Sequence, residues 1–289
     1  MLDTYALGQP GTVGAYLVKG TKPTLVDSGY ASSFQNVLSG LAEAGVTPSE
    51  VRLVIPTHVH LDHAGAAGHL LKEMPNAKVV AHEKSVPHLV DPTKLVESAT
   101  KVFGEEIIRL YGIPEPISAD RIEAVGKEAR LDLGEGLSVT AIHTPGHAPH
   151  QISLMFDDTR ALITADAVGI VYPTLRALIP TTPPPSFNPT ELVGTVRNLG
   201  QMTPSELLVP HFGSRKDAAW VFEKTSEKVL EWLEQVRRMK RNGLSLDQIS
   251  EAMEKKVCDE AGVDYLQIYA SVSVRTSVMG IMHYLDKNP

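Results

Sequence analysis

Three imidazoles and a carboxylate fall within six positions of this chain, in Thr57-His58-Val59-His60-Leu61-Asp62-His63-Ala64-Gly65. A lone histidine is usually structural, but four ligand-type groups at this spacing point to a metal site. No thiolate is among them, so the site is not soft. Imidazole and carboxylate suit Zn²⁺, Fe²⁺ or Mn²⁺ without choosing strongly among them. His58 and His60 are two apart and share one side of an extended chain. Asp62 and His63 follow at a corner, where neighbouring side chains point different ways. One edge of such a loop can serve one metal and the other edge a second.

The elements around the motif fit that duty. The preceding run, Val51-Arg52-Leu53-Val54-Ile55, is short and β-branched and reads as a buried strand. Residues 64–73 carry Ala67, Leu70 and Leu71 at helical spacing, which Met74 just beyond continues, so the ligands sit at a strand-to-helix corner. Upstream, residues 13–19 and 24–27 read as a hairpin, and 32–44 as an amphipathic helix stopped by Gly45. Downstream, 78–82, 131–133, 137–142, 151–156, 161–164 and 206–209 read as strands. Residues 92–111 read as one helix started by Asp91-Pro92, and 112–126 as loop. A proline-rich loop fills 167–189, followed by helices over 190–202, 217–241, 245–258 and 264–286.

His-x-His-x-Asp-His after a buried strand resembles the metallo-β-lactamase superfamily. The rest of that signature follows in order at strand ends: Asp27 in Thr24-Leu25-Val26-Asp27-Ser28-Gly29, His147 in Thr144-Pro145-Gly146-His147, Asp166 after Ala161-Leu162-Ile163-Thr164-Ala165, and His211 after Leu207-Leu208-Val209-Pro210. The resemblance covers residues 11–213. It implies an α/β fold, a four-layer αβ/βα sandwich with metals at one edge of its two sheets. The catalytic domain is then expected over 1–216, with a helical C-terminal extension over 217–289 packed on it.

The resemblance also implies the ligand set. His58, His60 and His147 would hold one divalent metal ion, Asp62, His63 and His211 a second, and Asp166 would bridge both. Two cations so placed lower the pKa of a water between them, giving a bridging hydroxide that attacks a carbonyl or phosphoryl centre. Asp62 would orient that nucleophile or take a proton in a later step. Asp27 has two readings, a turn residue bonding its own backbone or, by the resemblance, a group that holds the metal loop. His150 is either a support for a ligand or a turn residue. His82 and His88 read as ordinary surface or loop residues, or as part of the substrate mouth. Tyr172 in the proline loop either packs or donates to a substrate oxygen, as a Tyr does in lactonases of the superfamily, although its offset from Asp166 departs from the family pattern.

Ligand identity narrows the activity. Secreted β-lactamases lack the bridging Asp that Asp166 supplies. Flavin-linked diiron reductases carry an acidic residue where His60 stands, and RNA-processing members carry inserts and basic surfaces. Glyoxalase II enzymes and lactonases share all seven ligands, as do archaeal and bacterial hydrolases with promiscuous lactonase or phosphotriesterase activity. The expected activity is dinuclear metal-dependent hydrolysis of a small ester, lactone, thioester or phosphoester. The alternative is a persulfide dioxygenase-like oxidoreductase with one iron.

The 289 residues carry a net charge of −7 and 43% hydrophobic residues, ordinary for a globular protein and a poor match to nucleic acid. The densest basic cluster, Arg237-Arg238-Met239-Lys240-Arg241, reads as a helix end, where cations suit the dipole. No bilayer-length apolar run and no signal peptide are visible, and Cys258 is a single cysteine, so a cytoplasmic location without membrane contact is expected. The apolar faces over 92–111 and 217–289 suggest a homodimer. The expected partner is a small-molecule substrate.

Overall fold

The computed structural model describes residues 1–171 and 177–288. The chain divides into two compact units, one formed by Met1–His143, His150–Ala165 and Leu207–Ser214, the other by Thr144–Pro149, Asp166–Glu206 and Arg215–Pro289.

In the first unit, Leu2–Asp3 (β1), Gly14–Val18 (β2), Thr24–Val26 (β3), Leu53–Ile55 (β4), Lys78–His82 (β5) and Ile122–Val125 (β6) form one sheet in chain order. β1 to β3 pair antiparallel, and β3 to β6 pair parallel. Glu128–Gly134 (β7), Leu137–His143 (β8), Ile152–Phe156 (β9), Ala161–Ile163 (β10), Glu206–Leu208 (β11) and Ser214–Arg215 (β12) make the second sheet, with β7 to β10 antiparallel.

Alternation along β3 to β5 feeds two cores. Leu25, Val54, Val79 and Ala81 face Val37 and Leu41 of α1 (Phe34–Glu43), and Leu70 and Leu71 of a helix over Ala67–Glu73. Val26, Ile55 and Val80 face Leu131, Leu133, Val139, Ile152 and Leu154 of the second sheet. Both faces are covered, so these strands read as unbroken apolar runs rather than alternating ones. Each buried Val, Leu or Ile contributes roughly 1.5–3 kcal/mol. The ends of β3 and β4 are thereby rigid where the ligand loop leaves the sheet.

That loop ends in α2 (Leu61–Ala64), and the Ala67–Glu73 helix is α3. Two expectations fail in the segment beyond β5. Instead of one helix over 92–111, a short α4 (Val86–Val90) precedes α5 (Thr93–Phe103) and α6 (Glu105–Tyr111). The break is Gly104, whose φ of 85° no α-helix contains. The 112–126 stretch, expected as loop, holds β6. Its prolines lie upstream, and only Val125 of the strand is buried, so the apolar signal is weak.

The second unit carries α7 (Pro189–Gln201), α8 (Ala218–Arg241), α9 (Leu246–Ala261) and α10 (Ile268–Lys287). Asn188 caps α7 by accepting from the Thr190 and Glu191 amides, and Ser245 with Gln248 forms the expected capping box of α9. Arg238, Lys240 and Arg241 occupy the last turn of α8. Ser277 of α10 donates to the Pro180 carbonyl at 2.6 Å and accepts, through its own carbonyl, from the Thr182 hydroxyl at 3.0 Å. These bonds pin the segment before α7. Among the described residues, no helix is long and apolar enough to cross a membrane.

Gly65, just after α2, is packed against the segment that follows β3. An added Cβ would lie 2.2 Å from the Leu61 carbonyl oxygen and 2.8 Å from the Ala31 nitrogen. Backbone cannot yield as a side chain does. Gly65→Ala is expected to destabilise the protein by about 3 kcal/mol, the upper end for overpacking, read from denaturant midpoints.

Candidate metal centre

The site is built outward from Asp27, which directly follows β3 with a left-handed φ of 60° and is 1% exposed. Its amide donates to the Ile55 carbonyl at the end of β4. One carboxylate oxygen accepts from the Thr57 amide at 2.8 Å and from the Thr57 hydroxyl at 2.9 Å. The other lies 2.9 Å from His63 Nδ1. A carboxylate can only accept here, so Nδ1 carries the proton and Nε2 keeps the lone pair. The Thr57 hydroxyl, having given its proton to Asp27, sits 3.2 Å from His58 Nδ1 and can accept from it. That leaves His58 Nε2 as the basic nitrogen. One buried carboxylate thus sets the tautomers of two imidazoles. Of its two readings, the loop-holding one describes its contacts.

His58 Nε2 and His60 Nδ1 come within 2.9 Å of each other, as two-residue spacing in an extended stretch implies. His63 Nε2 lies 3.6 Å from Asp62 Oδ2, and His211 Nε2 lies 3.9 Å from the same oxygen. The ligand atoms of Asp62, His63 and His211 all fall within 4.8 Å of one another. His211 is carried in a loop fixed to the first sheet. The Tyr16 hydroxyl is shared between the carbonyls of Val209 and Gly213, and the Gly14 amide donates to Pro210.

In the second unit, Gly146 (φ 125°) lets the turn before His147 sit on α7, where a Cβ would meet the Leu192 nitrogen at 2.2 Å. Thr195 of α7 donates to the Pro145 carbonyl at 2.7 Å. His147 Nδ1 donates to the Thr181 carbonyl at 3.1 Å, so its Nε2 is the basic nitrogen, 3.5 Å from Asp166 Oδ2. Asp166 is 5% exposed. In each unit the donor set is neutral imidazole nitrogen beside carboxylate oxygen, which fits a borderline divalent cation. Tyr172 lies outside the described residues.

His150 is buried beside the ligands, its ring 6.2 Å from that of His58 and 6.0 Å from that of His60. Its carbonyl accepts from Ser85. His82 is not a surface residue. It is 2% exposed and stacks at 4.1 Å on His143, a residue that spacing alone did not single out. Its Nδ1 accepts from the Lys84 amide, and burial, then the charge of His143, brings its pKa down to about 4. A second pair also escaped notice. Tyr30 and Tyr111 stack at 4.1 Å, and burial pushes the Tyr111 phenol up to about 12, against the effect of its hydrogen bond to Tyr30 and with a contribution from Asp62.

The sequence pattern of the metallo-beta-lactamase superfamily matches residues 8–211, and the chain belongs to that family. Its two sheets flanked by helices fit the αβ/βα fold that the motif implied. Among its relatives, a metallo-beta-lactamase fold-containing protein of Sulfurisphaera tokodaii is 32% identical over 179 residues, 61% of this chain and 63% of that protein, so the match spans less than two thirds of the relative. A Methanocaldococcus jannaschii protein named "Probable metallo-hydrolase" is 29% identical over 66% of this chain and 85% of its own. The solved structure of an archaeal superfamily protein from Sulfolobus tokodaii superposes with a TM-score of 0.66 at 23% identity, covering 94% of this chain and 93% of that one.

Asp27→Asn keeps a residue that tolerates the left-handed backbone but replaces one accepting oxygen by a donor. Zinc affinity, measured by chelator competition, is expected to fall about 10- to 100-fold with the fold retained. His82 gives a pH signature. Its native pKa is depressed, so below pH 6.5 the unfolded chain takes up a proton that the native state refuses until about pH 4. Stability therefore declines as pH falls through that window. Melting temperature plotted against pH should drop less steeply there in His82→Phe, which keeps a ring to stack on His143.

Proposed function

We propose that the protein is a dinuclear metal-dependent hydrolase acting on a small ester, lactone, thioester or phosphoester. In this reading His58, His60 and His147 hold one cation, Asp62, His63 and His211 hold the other, and Asp166 is shared. The observation that carries it is the Asp27 hydrogen-bond set, which fixes His63 directly and His58 through Thr57 in ligating tautomers. Such outer partners are the usual companions of metal-bound imidazole. Family membership and the relative named a metallo-hydrolase support the reaction class.

When bound, the metals supply Lewis acidity and a water acidic enough to ionise near neutral pH. The chain supplies placement. The Asp62 side chain is 18% exposed, against 0% for His63 and 6% for His211, so it is the member of its cluster open to solvent. It is the group suited to orient the attacking water and to receive a proton. His147 is held by Thr181 and cannot rotate away without losing that bond.

The protein loaded with zinc, iron or manganese is expected to hold about two metals per chain and to hydrolyse members of a panel of lactones, glutathione thioesters and phosphotriesters without oxygen. His60→Ala and Asp166→Ala should each lower turnover by more than the ~10–100-fold typical of outer partners, with circular dichroism unchanged. One iron per chain, with oxygen consumed in the presence of glutathione persulfide, would replace this reading by a dioxygenase. Unimpaired hydrolysis in either variant would remove the mechanism.

A further inference from the structure

α2 is a single turn, Leu61–Ala64, and it carries Asp62 and His63. A helix this short has no stability of its own, so its place is set by what touches it. Asp27 and Ser28 hold it at the His63 ring and the His63 carbonyl. The residues that follow them hold its C-terminal end. The Ala66 amide donates to the Gly29 carbonyl at 3.0 Å, and a Cβ on Gly65 would lie 3.0 Å from the Tyr30 Cα. Backbone meets backbone there, with no side chain between to absorb a displacement.

The Tyr30 ring carries the contact further. It is buried and lies flat on the buried ring of Tyr111, with centroids 4.1 Å apart and planes 16° from parallel. Phe103 meets the Tyr111 ring edge-on at 5.7 Å. Such pairs hold a preferred geometry as well as burying area. Tyr111 closes α6, and Gly112 after it takes a left-handed φ of 77° and packs on the same segment. A Cβ there would lie 2.9 Å from the Ser32 nitrogen. Ring and backbone thus fasten the end of α6 to the stretch on which α2 rests.

The rest of that excursion is loosely rooted. α5 buries none of its residues, and in α6 only Ile108 and Tyr111 are buried. Gly104, between the two helices, has open space where a Cβ would stand. Tyr111 is therefore the aromatic anchor by which residues 93–111 and the ligand helix hold one another.

We propose that Tyr111 is a positioning residue for Asp62: stacked on Tyr30, it fixes the segment that supports α2, and so the orientation of the carboxylate that α2 presents. It acts through Tyr30 and not on the substrate. The proposal rests on the hydrolase reading for what Asp62 does, while the coupling itself can be measured without metal.

Hydrogen exchange on the metal-free protein tests the coupling. The amides of Ala64, Gly65 and Ala66, bonded to the carbonyls of His60, Leu61 and Gly29, report on α2, and the amides of β8 serve as reference. In Tyr111→Leu the first set should lose about two- to tenfold of its protection relative to the second, the worth of an aromatic pair. Tyr111→Phe, which keeps the ring, should restore it. Leu131→Ala, which loosens the core between the sheets, should leave the ratio unchanged. Phe103→Ala, at a half-buried site, should act like Tyr111→Leu but more weakly, and it carries the test should Tyr111→Leu not fold. An unchanged ratio in the Tyr111 or Phe103 variant, or the same change in Leu131→Ala, overturns the proposal. With zinc, chelator competition should show one of two binding steps weakened about tenfold in Tyr111→Leu and the other untouched. On an ester substrate kcat should fall while KM holds. Both binding steps weakened alike would overturn the proposal. Protection lost as expected, in a protein that turns over no ester, lactone, thioester or phosphoester, would instead overturn the hydrolase reading.

Discussion

The carboxylate of Asp27 is the constraint from which the metal loop takes its form. A buried carboxylate without partners costs several kcal/mol, and this one is met by the Thr57 amide, the Thr57 hydroxyl and the His63 ring. Those three bonds reach across 36 positions of sequence and tie the end of β3 to both the start and the finish of the ligand motif. Ser28 adds a second tie, its amide and hydroxyl both donating to the His63 carbonyl. The His58 and His63 rings cannot turn independently while Asp27 stays enclosed among these partners.

The same economy recurs where strands end. Asp27, Ala165 and Phe212 all carry positive φ, and they stand shortly after β3, β10 and β11, beside or among the residues assigned to the metals. Each such conformation costs of order 1–3 kcal/mol in a non-glycine residue. The apolar interior of the first unit, with β3 to β5 covered on both faces, provides the rigidity that holds the corners leaving its sheets. Chemistry gathers at the carboxyl ends of strands because loops there are free to vary while the sheet holds their roots.

Much of this was legible in the amino-acid order. The His58 to His63 spacing, the apolar runs of β3 to β5 and the Ser245 to Gln248 cap each act over a few residues, so local pattern suffices. Features that depend on distant partners were not legible. His82 meets His143 only because β5 and β8 bring their last residues together, and nothing in either neighbourhood announces the stack. Tyr30 and Tyr111 are joined in the same way, across 81 positions. Gly104 breaks the helix, but a single glycine inside an amphipathic run is compatible with a continuous helix as well as a broken one. Asp91 shows a half success. Its side chain does accept from the Thr93 amide, but Pro92 stays outside the helix rather than opening it.

The left-handed pair at Tyr5 (φ 48°) and Leu7 (φ 53°), in the turn after β1, has a further implication for how such a protein changes over time. A screen that rewarded heat resistance would be drawn to those two positions, since glycine there relaxes the backbone by about 1 kcal/mol each at little cost to the interior. Those gains in durability would thus arise at the very beginning of the chain, far in sequence from any histidine.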